Sequence, residues 1–312
     1  MADISVRQIS KKFENHLAVD GVSFDAEKGR IFGLLGPNGA GKTTTIRMIN
    51  NILYPDSGEI LVKGEPVGPK SQTVIGYMPE ERGLYKKMKV GEQLIYLIRL
   101  KGLSHKDAIA AAKYWLERFD AYEWKNKMIS ELSKGMSQKI QFIATIAHDP
   151  DILIFDEPFS GLDPINSELL KNIIIELKEM GKTIFFSTHR MEQVEQMCDD
   201  ICLFNRGKAI LNGELRTIKK SFGTNTVELD FHGDGTFLDK IPNIRINNKA
   251  SNHAEIRLLE DTTHRDILEA AMAAVDVTKF ELVEPSLNEI FISTVGVDNL
   301  NAEEKAALGA LS

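Results

Sequence analysis

Gly36-Pro-Asn-Gly-Ala-Gly-Lys-Thr-Thr44 fits the G-x-x-x-x-G-K-[ST] pattern of loops that bind nucleotide phosphates. Gly36, Gly39 and Gly41 let the backbone turn tightly and aim successive N–H groups inward, where side chains would block phosphate oxygens. The apolar run Ile31-Phe-Gly-Leu-Leu35 predicts a buried strand before the loop, and Thr43 to Asn50 a helix after it. Phosphates would therefore meet a helix N-terminus, whose dipole favours negative charge. On this reading Asn38, Ala40 and Thr44 complete the loop, Lys42 reaches the β- and γ-phosphates of ATP or GTP, and the Thr43 hydroxyl ligates Mg²⁺.

Two further stretches supply chemistry for such a loop. Phe155-Asp-Glu-Pro158 ends an apolar strand with two carboxylates, at the sheet edge where open α/β folds place their ligands. Asp156 is expected in the Mg²⁺ shell and Glu157 beside the attacking water. Ser187-Thr-His189 ends the next apolar strand, so His189 should emerge at the same edge and contact the γ-phosphate. His105 and His148 have no such setting.

Net charge is −7 and 43% of residues are apolar, ordinary for a globular chain and adverse to general nucleic-acid binding, which needs surplus Lys and Arg. No apolar run approaches the length of a membrane span, and the N-terminus lacks a signal peptide's basic and apolar regions, so a cytosolic location is expected. Cys198 and Cys202, placed at a predicted helix end, are too few to ligate a metal and are expected as buried thiols.

Outward from the loop, Ile4–Ile9 and Gly21–Phe24 alternate as strands of a small antiparallel sheet, with further strands at 58–62 and Val74–Met78. From about 84 to 150 the pattern turns helical, with apolar spacings of three and four at Gln93–Lys101 and Lys106–Phe119. Asp151–Phe155 and Thr183–Phe186 then read as strands buried on both faces, joined by a helix from Asn166 to Met180 that Gly181 closes. Past residue 220, strands at Thr226–Phe231, near Ile244, at Ala254–Leu259 and at Lys279–Val283 surround a helix at Thr263–Val275, which predicts a separate α+β domain over 221–298. The stretch 299–312 reads as a flexible tail. The predicted class is α/β: a phosphate-loop NTPase core over 1–220 with an antiparallel β subdomain and a helical subdomain, plus the small α+β domain.

Over roughly residues 3 to 220 the chain resembles an ATP-binding subunit of an ABC transporter. The phosphate loop, the Leu132-Ser-Lys-Gly-Met-Ser-Gln138 signature, Asp156-Glu157, the Ser160-Gly-Leu-Asp163 loop and His189 stand in that family's order. The resemblance implies ATP and Mg²⁺ as cofactors and a head-to-tail dimer, either of one chain or with a related ATPase subunit. Ser133 and the Gly135 N–H would then face the γ-phosphate held by the other copy, with Asp163 lining the junction. Phe13 would stack on adenine with Val19 beside it. A separate membrane permease is the implied partner, with the chain on the inner face of the cell membrane. Pro285-Ser-Leu-Asn-Glu-Ile-Phe-Ile292 resembles the closing segment of the accessory domain of bacterial export ATPases. On periodicity alone, Leu287, Ile290 and Phe291 form one buried face of a short helix.

Two positions depart from the family pattern. Glu80 stands where glutamine is common, which implies a contact to Mg²⁺ or none, since a carboxylate repels phosphate oxygens. Lys134 stands where the signature usually has glycine, either as a cation near the partner's phosphates or directed to solvent. Lys42, Asp156, Glu157 and His189 are all in place, so active hydrolysis is expected. A non-transport ATPase acting on DNA or ribosomes is the alternative, disfavoured by a single cassette, the absence of sustained heptads and the acidic balance. A regulatory nucleotide-binding module with little turnover is the third.

Overall fold

The computed structural model describes residues 2–81, 83–223, 226–259 and 262–295. These described residues fall into two compact units that divide between Gly213 and Glu214.

The first unit begins with a long hairpin, β1 (Ala2–Phe13) and β2 (His16–Glu27), followed by β3 (Ile31–Leu35), α1 (Lys42–Ile49), β4 (Ser57–Val62), β5 (Glu65–Pro66), α2 (Ser71–Val74) and β6 (Ile75–Met78). Both hairpin strands run well beyond the segments that alternate in the sequence. Register shifts between Val6 and Ile9 and at Lys11 interrupt the period of two and hide the continuation. The antiparallel sheet has the order β2-β1-β4-β5. Residue 74 closes α2 instead of opening the strand, which starts at Ile75.

Three helices follow: α3 (Val90–Leu100), α4 (His105–Arg118) and α5 (Lys134–Ile146). The chain then returns through β7 (Ile152–Asp156), α6 (Pro164–Glu179), β8 (Thr183–Thr188), α7 (Met191–Met197), β9 (Asp200–Asn205) and β10 (Lys208–Glu214). The main sheet has the order β10-β9-β3-β8-β7-β6, with parallel pairing from β9 through β6. β3, β7 and β8 are buried at every position, as strands covered on both faces require. Cys202 therefore belongs to a strand, not to a helix end, and only Cys198 closes α7. Burial raises the pKa of both thiols, that of Cys198 with help from Asp199 and Asp200.

Aromatic packing ties the layers together. Phe24 of the hairpin stacks on Phe32 of β3 and Phe185 of β8, at centroid distances of 5.0 and 5.8 Å. Phe142 of α5 stacks on Phe155 of β7 at 4.8 Å. Each such ring contributes about 2 kcal/mol of burial, with about 1 kcal/mol more for the ring pair. The Phe142 contact fixes α5 directly above the strand that ends in Asp156.

The second unit contains α8 (Leu215–Ser221), β11 (Thr226–His232), β12 (Ile244–Ala250), β13 (His253–Leu258), α9 (His264–Ala274), β14 (Asp276–Val283) and α10 (Leu287–Val295). Its sheet is antiparallel, in the order β12-β13-β11-β14. Val227, Leu229 and Phe231 meet Ile256, Ile267 and Ala271 in its core. Thr263 caps α9 by accepting the Asp266 N–H, and the Asp266 carboxylate accepts the Thr263 N–H in return. In α10, Leu287, Ile290 and Phe291 are all buried, the single face that their spacing predicted. The expected tail, 299–312, lies outside the described residues. The architecture is the expected class: a mixed α/β core, an antiparallel sheet, a helical subdomain and a small α+β unit.

Candidate functional site: a phosphate-binding cleft

A cleft of about 390 Å³ opens at the C-terminal ends of β3 and β7. Phe13, His16, Ala18, Asn38, Gly39, Gly41, Lys42, Thr43, Thr44, Glu80, Asp156 and Glu157 line it. Its floor is the loop between β3 and α1. Gly41 precedes the helix at φ +107, and a Cβ at Gly36, with φ +144, would stand 2.2 Å from the Phe204 carbonyl oxygen. Only glycine meets both demands. Ala40 is buried; its N–H donates to Pro37 O and its carbonyl accepts the Gly207 N–H.

Lys42 is 6% exposed, and its ammonium donates to the Gly36 and Pro37 carbonyls at 2.6 and 3.0 Å. Burial lowers its pKa, while Glu157, Asp156 and Glu80 hold it up. Asp156 is 1% exposed. Burial raises the pKa of its carboxyl, opposed by the Ser187 and Thr43 hydroxyls. Ser187 Oγ donates to Asp156 Oδ1, whereas Oδ2 is buried with no hydrogen-bonding partner among the described residues. A buried ammonium and a buried carboxylate, each disfavoured by desolvation, mark a site built for further charge. The orphaned Oδ2 beside the Thr43 hydroxyl is an all-oxygen donor set, which fits Mg²⁺ completed by phosphate and water oxygens.

Glu157 adopts φ +51, a left-handed conformation rare for a non-glycine residue, the more so before proline. Its N–H donates to Ser187 O at 3.1 Å, and its own carbonyl accepts the Ser160 N–H at 3.1 Å. The carboxylate bonds His189 Nδ1 through Oε1 at 2.8 Å and accepts from Thr188 Oγ1 at 3.4 Å. That contact raises the His189 pKa against partial burial. The sequence placed both residues at this edge but gave no sign that they bond each other.

The remaining expected residues divide. Phe13 is 43% exposed at the cleft, not a core phenylalanine, and Lys11 Nζ lies 5.8 Å from its ring centre. Val19 requires correction. It is wholly buried in the hydrophobic core, so it cannot touch a base in the cleft. Ala18 and His16 line the wall in its place. Glu80 does line the cleft, as an exposed side chain. Ser133, Gly135 and Asp163 do not line it. Ser133 caps α5 by accepting the Met136 N–H at 3.2 Å, and Asp163 caps α6 by accepting the Asn166 N–H at 2.9 Å, each worth about 1 kcal/mol. Lys134 lies along the Gly161 backbone, where a Cβ would meet its Cε at 2.3 Å.

Comparison with known proteins gives this cleft its context. Residues 19–160 match the ABC transporter family, and residues 213–295 match the C-terminal domain of DrrA1-3-like ATP-binding proteins. Residues 128–193 also match an AAA domain described as a putative AbiEii toxin. The chain is 45% identical to the ABC transporter ATP-binding protein YhaQ of Bacillus subtilis, over 94% of this chain and 98% of that one. It is 32% identical to the linearmycin resistance ATP-binding protein LnrL of the same organism, again over 94% and 98%. The Nod factor export ATP-binding protein I of Burkholderia thailandensis is 36% identical over 73% and 77%. Among solved structures, the ATP-binding subunit of an ABC transporter superposes at a TM-score of 0.67 with 30% identity, over 70% of this chain and 93% of that one. CbiO1 of Clostridium perfringens, part of the ABC transporter complex CbiONQ, superposes at 0.62 with 25% identity, over 70% and 90%. The phosphate loop, the paired acids and these relatives converge: the chain belongs to the ABC transporter family as an ATP-binding subunit, and it is an ATPase.

Proposed function

We propose that the chain powers an export system by closing and reopening as a dimer on a separate membrane permease, at the inner face of the cell membrane. The observation that carries this is the one-sided cleft: its residues grip phosphate, while Ser133, Gly135 and Asp163 stand outside it. That division suits a site completed by a second copy or a related subunit. Export is supported by the similarity to the Nod factor export protein and to LnrL.

In the working site Lys42 exchanges two loop carbonyls for β- and γ-phosphate oxygens. Phe13 offers an exposed ring to the adenine. Thr43 and Asp156 would hold Mg²⁺, which neutralises charge on the phosphate oxygens when bound. Glu157 orients and polarises the attacking water, and His189 both steadies Glu157 and faces the phosphoryl group. Catalysis is positioning and electrostatic stabilisation.

The permease contact is assigned to a second groove, of about 330 Å³, in the same unit. Ile52, Tyr77, Leu84, Leu97 and Leu100 line it, and Ile52 and Leu100 are more than half exposed. Such a patch marks an interaction surface. Pro79 and Gly83 in its wall flank Glu80, so a partner seated there touches the loop that reaches the ATP cleft. The test is purification of the tagged chain from detergent-solubilised membranes, with the ATPase rate measured with and without what accompanies it. An integral membrane protein should co-purify, change the rate, and be lost from Ile52→Glu and Leu100→Glu chains. Ribosomes or DNA in its place would overturn the reading.

A further inference from the structure

Helix α5 bears the signature at its N-terminus, and two glutamines, the signature's last residue and one three positions on, are turned inward. Gln138 is 5% exposed, and its Nε2 donates to the Pro158 carbonyl at 2.9 Å. Gln141 Nε2 donates to the Pro79 carbonyl at 2.7 Å. Each proline is the immediate neighbour of a carboxylate in the cleft, Glu157 and Glu80. A proline has no N–H to anchor it, so the carbonyl is its only strong handle.

The bond at Pro158 matters because of what precedes it. Glu157 is held at φ +51, a strained conformation that persists only where the surroundings over-determine it. The backbone restraints are few: Glu157 N–H to Ser187 O, Ser160 N–H to Glu157 O, and the Gln138 bond to the intervening Pro158. The first two tie the loop to β8 and to itself. Of these hydrogen bonds the third is the one that ties it to α5, which Phe142 fixes against β7.

We propose that Gln138 is a positioning residue for ATP hydrolysis, holding the Glu157 carboxylate at its working place through the Pro158 carbonyl. It stands outside the ATP cleft and, unlike the exposed Ser133, is buried with its Nε2 committed to the Pro158 carbonyl, so it acts without touching nucleotide. The same bond makes α5 a rigid link: a helix whose signature end meets the other copy's nucleotide also holds this copy's Glu157. The proposal rests on the reading of Glu157 as the water-orienting residue.

The test uses the full chain with Gln138→Leu and with Gln138→Glu, the latter keeping the side chain's shape while setting an accepting oxygen against the carbonyl. Leaving a buried carbonyl unpaired should lower kcat roughly tenfold or more, with KM changed about twofold or less. In single-turnover assays on the Glu157→Gln background, the same substitutions should leave the residual rate unchanged, because the residue they act through is gone. Unaltered kcat, a KM change larger than the kcat change, or an equal loss in both backgrounds overturns the positioning role. Full turnover by Glu157→Gln alone would instead remove the assigned role of Glu157, so the two failures are distinguishable.

Discussion

Glu157 combines a left-handed backbone with a carboxylate bonded to His189 Nδ1 at 2.8 Å and to Thr188 Oγ1 at 3.4 Å. Replacing it with glutamine keeps the size and one oxygen acceptor, enough for the His189 contact, but removes the negative charge that polarises water. ATP binding by Glu157→Gln should equal that of the wild type in equilibrium titration, and hydrolysis should fall on the order of a hundredfold or more. Dimers should then accumulate with ATP and show in size-exclusion chromatography; full turnover would sink the assignment. The residue types at this edge were legible in sequence because a phosphate loop needs glycines, a lysine, a hydroxyl and carboxylates at strand ends. The Glu157–His189 bond was not, since it joins the ends of two strands across space. Val19 beside the adenine was implied by the family resemblance alone, and a family pattern does not reveal which residue of a bulged hairpin turns inward. The capping by Ser133 and Asp163 could have been found, because each precedes a helical run by one residue.

Elements were read best where one period runs unbroken. β3, β7 and β8 and α6 with Gly181 behind it all appear within a residue or two of their expected places. What alternation cannot show is which polar face a later helix will touch. Glu255 of β13 lies opposite Glu228 of β11, near Glu289 of α10. Asn247 of β12 donates to Glu289, as does the Ser286 N–H at the helix start. Burial first, then the Glu289 and Glu228 charges, push the Glu255 carboxyl up to about 7, against a hydrogen bond from Asn247. A folded-state pKa raised above the unfolded one contributes stability fully present below the unfolded value of 4.5 and lost as pH rises through 7. The thermal midpoint of the wild type should therefore fall relative to that of Glu255→Gln as pH goes from about 5 to 8. The difference between the two chains isolates Glu255 from His189, whose raised pKa acts in the same direction. Parallel melting curves across that window would show that the pair exerts no such strain.

At the scale of the whole molecule, the decisive fact is a separation within one unit. The cleft owns Lys42, Thr43, Asp156 and Glu157, whereas Ser133 at the head of α5 is exposed and outside it. A monomer that needed its own signature would place both on one wall. If the site is shared between copies, Lys42→Ala destroys the gripping half of a site and leaves that copy's α5 sound, while Ser133→Arg does the reverse. Each variant alone builds only sites with one broken half and should be inactive. In a dimer containing one copy of each, one site combines both defects, and the other joins an intact phosphate loop to an intact signature. Mixing the two purified inactive chains should therefore restore ATP hydrolysis, with activity following the proportion of mixed dimers as the ratio is varied. Recovery requires only that halves of different copies meet, so it also separates this arrangement from a site closed within one chain. A mixture as silent as its components would place the signature's work inside the single chain.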